Sequence, residues 1–445
     1  MLPADATPSP WLRRLPIMLV LVLAAFGALV EYRSCFIERR MGDLTVFVRT
    51  AWAVRSGEDI YDVADEKGFH YQYAPLLAIL MTPLADPPAG VDRTWVLPYP
   101  AIAAIWYVLN VAFLAIAVHW LASALEERGD AVCRPQSHNG RWWQLRLAPV
   151  LVCLPMIGHT LMRGQVNLLL LLLLCGMVTA SLRGRRLQAG LWLAGAICLK
   201  LIPAFLLLYP LSRRDGRCLV GCAIGLVAGL GLIPAAAFGP ARTATYFEEW
   251  TKVLILPGLG AGEEGSRDKE LIDATATDSQ SFQSTIHNTM YPNWATRPPQ
   301  PSPLVRGAHW LLASCLTLVT LWAGRRRIGD RAAEVVAFGA LVVMMLVSSP
   351  VSHTHYFCLA LPLTMGVTAL WQRSGGRGLS AVLWLVGTFA VAANIVALLP
   401  GLELIRDCGA VFYAALLLWL TGIVLLRRTA NPPAFETYQA AAKAA

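Results

Sequence analysis

Charge is what this 445-residue sequence has least of. Asp, Glu, Lys and Arg together make up 15% of it, against roughly 25% in an average globular protein. The ten cysteines include no CxxC pair and no Cys/His metal spacing, which removes zinc-ribbon and dithiol readings. No P-loop occurs, and no nucleotide-sugar site is visible. What fills the chain is apolar: 56% of residues are hydrophobic, mean hydropathy is +0.53, and the apolar residues come in long runs. A disordered chain, a disulfide-stapled domain and a coiled coil are excluded. In lipid a backbone must satisfy its own hydrogen bonds, so the composition implies an all-α polytopic membrane protein. The surplus of Lys+Arg (37) over Asp+Glu (28) reads as positive-inside bias, not as a nucleic-acid surface. Most cysteines sit in apolar runs. Cys35 and Cys408 fall in segments placed outside, and a disulfide between them stays open.

Ten runs read as spans: 15–30, 100–125, 147–160, 166–182, 218–238, 304–323, 333–348, 356–371, 379–399 and 410–426. The first lacks a small-residue cleavage site and reads as a retained anchor. The run 188–211 is different. Arg183, Arg185 and Arg186 precede it, Arg213, Arg214 and Arg217 follow it, and Lys200 and Pro203 interrupt its middle. Two half-helices that dip in and return fit this pattern, and one ordinary span with a basic outer loop is the alternative. With the hairpin, the arginines of the short loops sort to one side and both termini are cytoplasmic. Two long outer loops, 31–99 and 239–303, flank one domain covering 1–445, with a cytoplasmic tail at 429–445. The setting expected is a bacterial cytoplasmic membrane.

The first outer loop carries the most chemistry. Asp43 is followed by Leu44, Phe47, Val48, Ala51, Trp52 and Val54 at near-helical period, which predicts an amphipathic helix at the membrane surface with Asp43 near its N-terminus. A helix cap and a catalytic base facing a cavity are both open for that carboxylate. Arg33, Arg39, Arg40 and Arg49 are available to a phosphate or to lipid headgroups. Lys200 in an apolar run needs a cavity or a partner, and a phosphate suits an ammonium. Gln165 and Asn167 enter a leucine-rich helix, where hydrogen bonding between helices is the plainer role. His353 and His355 stand beside Ser349 and Ser352 at an outer helix start. The stretch 275–289 lacks apolar period and reads as a loop.

These residues carry a resemblance. Asp43, Gly57 with Ile60-Tyr61, and Tyr71-x-Tyr73-x-Pro75-Leu-Leu resemble the first outer loop of glycosyltransferase family 87, in the GT-C superfamily of membrane enzymes that use polyprenyl-phosphate sugars. In the same order follow Gly164-Gln165-x-Asn167, Lys200-x-x-Pro203, Ser279-Gln280-Ser281-Phe282 and Ser349-Pro350-Val351-Ser352-x-x-His355, each similar to a family motif. Two departures stand out. Tyr356 occupies the place of a second family His, and His287 is the nearest basic residue where an Arg commonly follows the Asn-Gln-Ser motif.

The resemblance implies a GT-C-like bundle of about ten to twelve membrane helices with interfacial helices in the first outer loop. It implies transfer of a hexose, mannose first, from a polyprenyl phosphate to a lipid or glycan acceptor outside the cytoplasm. Asp43 is then the general base. Lys200, His355, Gln165, Asn167, Tyr71, Tyr73, Gln280, Ser281 and His353 are the substrate-binding candidates. Membrane lipids are the surroundings, and no metal, cofactor or nucleic-acid partner is expected. The competing class is a transporter or flippase for a lipid-linked anion, which a broken helix carrying Lys200 would also serve.

Overall fold

The structure is a computed structural model and describes residues 10–38, 41–65, 68–127, 140–256, 279–325, 329–376 and 378–428. The placements expected for Thr277 (outside), Arg326 (inside), Arg39, Arg40 and the tail 429–445 lie outside the described residues. Among those described, the chain is helical, with two isolated β-bridges and no strand. The thiols of Cys35 and Cys408 are free.

Seven helices are long and apolar enough to cross a membrane: Arg14–Ile37, Tyr99–Glu126, Gly216–Phe238, Pro303–Gly324, Arg331–Ser348, Gly378–Leu398 and Ala410–Arg428. Three of the ten expected spans take other forms. The run 147–160 is divided between α5 (Gly140–Val152) and α6 (Leu154–Arg163), bent by 58°. Pro155 in the first turn of α6 cannot donate back across that break. Helix α7 (Asn167–Leu182) has 16 residues, about 24 Å at 1.5 Å per residue. The run 356–371 begins as a tight turn and becomes helical only at Leu361–Arg373. Arg331–Ser348 forms the middle of the bundle and is almost wholly buried, while the first span, which begins in α1 (Pro10–Tyr32), is mostly exposed and faces outward.

The segment 186–215 leaves one end of the bundle and comes back to it. Helix α8 (Arg186–Leu199) stops at Lys200, whose backbone is extended (φ −150°, ψ 132°), and a tight turn at Ile202–Leu207 leads into Leu208–Ser212. Arg186 then pairs with Asp215 at 2.8 Å, joining the two ends. α8 lies backbone to backbone against Gly216–Phe238. A Cβ on Gly190 would sit 2.0 Å from the Cys218 carbonyl oxygen, the close approach that small residues permit between membrane helices. The same end collects Arg146–Glu126, Arg183–Glu127, Arg331–Glu127, Arg213–Glu334 and Arg373–Asp330. The loops that the arginines assigned to one side therefore meet at one end.

At the other end, α2 (Gly42–Ser56) and α3 (Pro75–Met81) pack with the loop between them, the start of α4 (Tyr99–Glu126) and the helix Pro240–Trp250 into a second apolar core. Here α2 turns its apolar face into protein. Leu44, Val46, Phe47, Val48, Thr50, Ala51 and Ala53 are all buried. Tyr61, Tyr71, Tyr246 and Trp250 belong to the same core.

Candidate active site

Below this cap lies a cavity of about 2340 Å³. That exceeds the roughly 300–1,000 Å³ of a pocket for one small ligand. Asp43, Tyr73, Gln165, Lys200, His353 and His355 all line it, so residues separated by more than 300 positions share one space.

Asp43 stands in the first turn of α2, where the N-cap residue is Met41. Its carboxylate accepts from Arg163 Nε at 3.2 Å instead of capping the helix. Gly164 makes this pairing possible. It ends α6 at φ +71°, and a Cβ there would lie 2.6 Å from Leu44 Cβ, so only glycine lets the chain pass so close to α2. The Trp106 indole N–H donates to the Gly164 carbonyl at 3.1 Å and holds the turn. Arg163 on one side and Gln165 on the other thereby reach the cavity next to Asp43.

Lys200 enters at the break after α8. Its ammonium sits 3.6 Å from the centroid of the Tyr356 ring and donates to Asn167 Oδ1 at 3.3 Å. Among the described residues it forms no ion pair. A half-buried ammonium held by an aromatic face and an amide keeps its remaining N–H donors for an incoming anion. The outer turn 349–360 brings His355 beside it. His355 is 1% exposed, and both of its ring nitrogens are buried without a partner among the described residues. Burial, then the charge of Arg163, holds this imidazole well below the usual histidine range, so it is neutral at neutral pH. His353 stacks on it and His159 meets it edge-on, each with ring centroids 5.5 Å away. Tyr73 donates to Gln165 Oε1 at 3.2 Å. Burial lifts its phenol far above the usual range, so Tyr73 stays a neutral hydroxyl.

Four of the candidates do not line the cavity. The Tyr71 hydroxyl donates to the Ala74 carbonyl and accepts from the Ala78 N–H, bracing the start of α3. Asn167 donates to the His355 carbonyl while accepting from Lys200, so it spaces these two residues. Gln280 donates to the Arg406 carbonyl and accepts from Phe412 N–H, while Ser281 caps the helix Phe282–Met290 and donates to Pro350 O. Together they clamp the turn that carries His353 and His355. That helix also corrects the loop expected over 275–289, within the residues described. Its nucleus is the Ser281 cap, with Phe282, Thr285 and Asn288 buried at helical spacing. His287 is buried against the Pro298 carbonyl and does not reach the cavity.

Arg163, Tyr356 and His159 were missed as site residues. The polar break at 159–165 between two apolar runs was the signal for Arg163 and His159, and the departure from the family His was the signal for Tyr356. Arg49 lines the cavity, whereas Arg33 pairs with Glu38 at 2.6 Å. No three His, Cys, Asp or Glu side chains among the described residues are grouped to hold a metal ion.

The family model described as "Glycosyltransferase family 87" matches residues 71–350. The chain belongs to glycosyltransferase family 87. It is a membrane glycosyltransferase, and the transporter reading falls away. Two curated relatives, each 29% identical, come from Mycobacterium tuberculosis (74% of this chain, 69% of the relative) and Mycolicibacterium smegmatis (74% and 70%). Both are named polyprenol-phosphate-mannose-dependent alpha-(1-2)-phosphatidylinositol mannoside mannosyltransferase. A solved structure of ArnT from Cupriavidus metallidurans bound to undecaprenyl phosphate aligns over 92% of this chain and 76% of its own, at 14% identity and a TM-score of 0.40. The family match begins after Asp43 and does not bear on that residue.

Proposed function

We propose that this family 87 enzyme transfers a mannosyl unit from a polyprenyl phosphate to a hydroxyl of a lipid or glycan acceptor on the non-cytoplasmic face. The observation that carries the reading is that one cavity is lined both by a carboxylate, Asp43, and by the anion-binding groups Lys200, Arg163 and His355. The names of both curated relatives supply the donor class.

In this mechanism Lys200 and Arg163 hold the donor phosphate as cations, and His355 holds it by a neutral N–H. The apolar residues of the cavity, among them Phe205, Leu208, Leu318 and Ile395, receive the first units of the prenyl chain. The bond between C1 of the sugar and the phosphate oxygen breaks, and its electron pair leaves with the phosphate, whose charge the cations offset. The acceptor oxygen forms the new bond to C1 as its proton passes to the Asp43 carboxylate, a general-base step. Side chains supply every charge this route needs, so it requires no metal.

Asp43→Asn tests the assignment, because it preserves size and hydrogen bonding while removing the base. The variant is expected to insert and bind donor normally, and to lose at least about a hundredfold in transfer from polyprenyl-phosphate-mannose. Near-normal transfer would reduce Asp43 to a partner of Arg163.

A further inference from the structure

Transfer moves charge as well as a sugar. The donor phosphodiester carries one negative charge, whereas the leaving polyprenyl phosphate, a monoester, carries nearly two at neutral pH. The acceptor proton meanwhile cancels the charge of the Asp43 carboxylate. One negative charge therefore passes from the base to the leaving group in each turnover. A cation placed between them meets the carboxylate before transfer and the phosphate after it.

Arg163 occupies that place. It is the last residue of α6, and its Nε donates to Asp43 Oδ2 at 3.2 Å. In the same turn of α6 the Thr160 hydroxyl donates to the His355 carbonyl at 2.9 Å. His159, four residues before Arg163 and about 6 Å along the axis, meets the His355 ring edge-on. One turn of helix thus touches the base on one side and the histidine of the phosphate site on the other. The charges of Asp43 and Arg163 both act on Lys200, and that of Arg163 acts on His355 as well. The Arg163 and Asp43 side chains lie on the cavity wall, 40% and 24% exposed. Their contact is longer than the roughly 2.7–2.9 Å of a tight charge-assisted bond, and an ion pair so open to solvent contributes little. Arg146 and Glu126 show the structural alternative at the opposite end, with two bonds of 2.7 and 2.9 Å between largely buried side chains. Arg163, unlike Arg146, leaves its carboxylate at small cost.

We propose that Arg163 exchanges partners during the reaction, passing from the Asp43 carboxylate to the leaving phosphate. As the bond from C1 to the phosphate oxygen breaks, its electron pair goes to that oxygen. The acceptor oxygen bonds to C1, its proton reaches Asp43, and the neutral carboxyl releases the guanidinium to the new dianion. Lys200 and Arg163 are matched by the carboxylate and the phosphodiester before the step and by the phosphate dianion after it. Neither cation is left without a counter-charge in an apolar cavity. The proposal rests on the transfer reaction assigned to Asp43 and adds the link between base and leaving group. Its consequence is a site that holds the dianionic product more tightly than a monoanion.

The test measures binding of two ligands to the full chain in nanodiscs at about pH 7.5, above the second phosphate pKa of roughly 6. One is polyprenyl phosphate, a dianion, and the other is its methyl ester, a monoanion. Native enzyme should bind the dianion at least about tenfold more tightly, the usual gain from a hydrogen bond between charged groups. Asp43→Asn, which removes the competing carboxylate, should tighten the dianion at least about fivefold and leave the methyl ester within about twofold. Arg163→Gln should erase the preference for the dianion, and adding Asp43→Asn to it should gain nothing. Arg163→Lys, which keeps the charge but not the fork, should retain part of the preference and shows that the site still folds. A preference that survives in Arg163→Gln, or a gain from Asp43→Asn that persists without Arg163, would overturn the exchange while leaving the transferase standing. Native enzyme that binds neither ligand and transfers no mannose from polyprenyl-phosphate-mannose would instead overturn the reaction itself.

Discussion

Lys200 is the residue on which the donor end turns. An ammonium in an apolar run costs roughly 2.5–3.5 kcal/mol on insertion scales, and here its stable contacts are the Tyr356 ring and the Asn167 amide. A desolvated cation over an aromatic face is worth about 2 kcal/mol. Tyr356→Ala is therefore expected to raise the donor KM about tenfold, whereas Tyr356→Phe, which keeps the ring, should stay near native. Donor titration of both variants checks this, and an equal loss in the two would assign the effect to the hydroxyl. Histidine gives a second prediction at this scale. Burial holds both His355 and His287 below the ordinary histidine value, so the unfolded chain takes up protons that the folded chain refuses. Their contribution to stability is full above the unfolded value of about 6.5 and is lost as pH falls below it. Thermal unfolding in detergent between pH 7.5 and 5.0 (roughly one unit above that value to 1.5 below) should show falling stability toward acid, with a shallower fall in His355→Gln.

Among the elements, the join between α6 and α7 does more for the site than either helix. Gly164 lets Arg163 meet Asp43 and lets Gln165 meet Tyr73. An L-residue at its φ of +71° costs about 1–3 kcal/mol, and the added Cβ would also press on Leu44. Gly164→Ala should insert yet lose at least about tenfold in transfer, because the shift needed to relieve the contact moves Arg163. Gly307→Ala, where a Cβ meets nothing within 4 Å, is the control and should be silent in the same assay. The broken segment 186–215 follows similar logic. Lys200 and Pro203 stop the helix at the depth where the cavity lies, and the Arg186–Asp215 pair brings the chain back.

Over the whole molecule, charges divide the two ends. Six ion pairs tie together the loops expected on the cytoplasmic side, while the cavity and the cap holding α2 occupy the other. In a background lacking reactive cysteines, Glu403→Cys, on the turn that includes Arg406, should react with an impermeant maleimide in intact cells. Arg428→Cys should react only after permeabilisation. The reverse pattern would place the cavity on the cytoplasmic side and remove the proposed sidedness.

Composition and apolar runs were enough to establish a helical membrane protein, because a backbone in lipid has no other partner than itself. Helix α2, with Asp43 in its first turn, was legible from local periodicity, and so was the interruption at Lys200 and Pro203. Local pattern did not reveal that α2 is buried, because a 3.6-residue period records an apolar face and not what covers it. Nor did it distinguish side chains that line the cavity from those that brace it. Tyr71 and Tyr73 are two positions apart, yet one closes on the Ala74 carbonyl and the other reaches Gln165. The pairing of Asp43 with Arg163 and the ring of Tyr356 over Lys200 join residues from distant segments. Only the packing of the helices brings such residues within a few ångströms, since a sequence sets each residue's neighbours along the chain and the tertiary fold sets its neighbours across it.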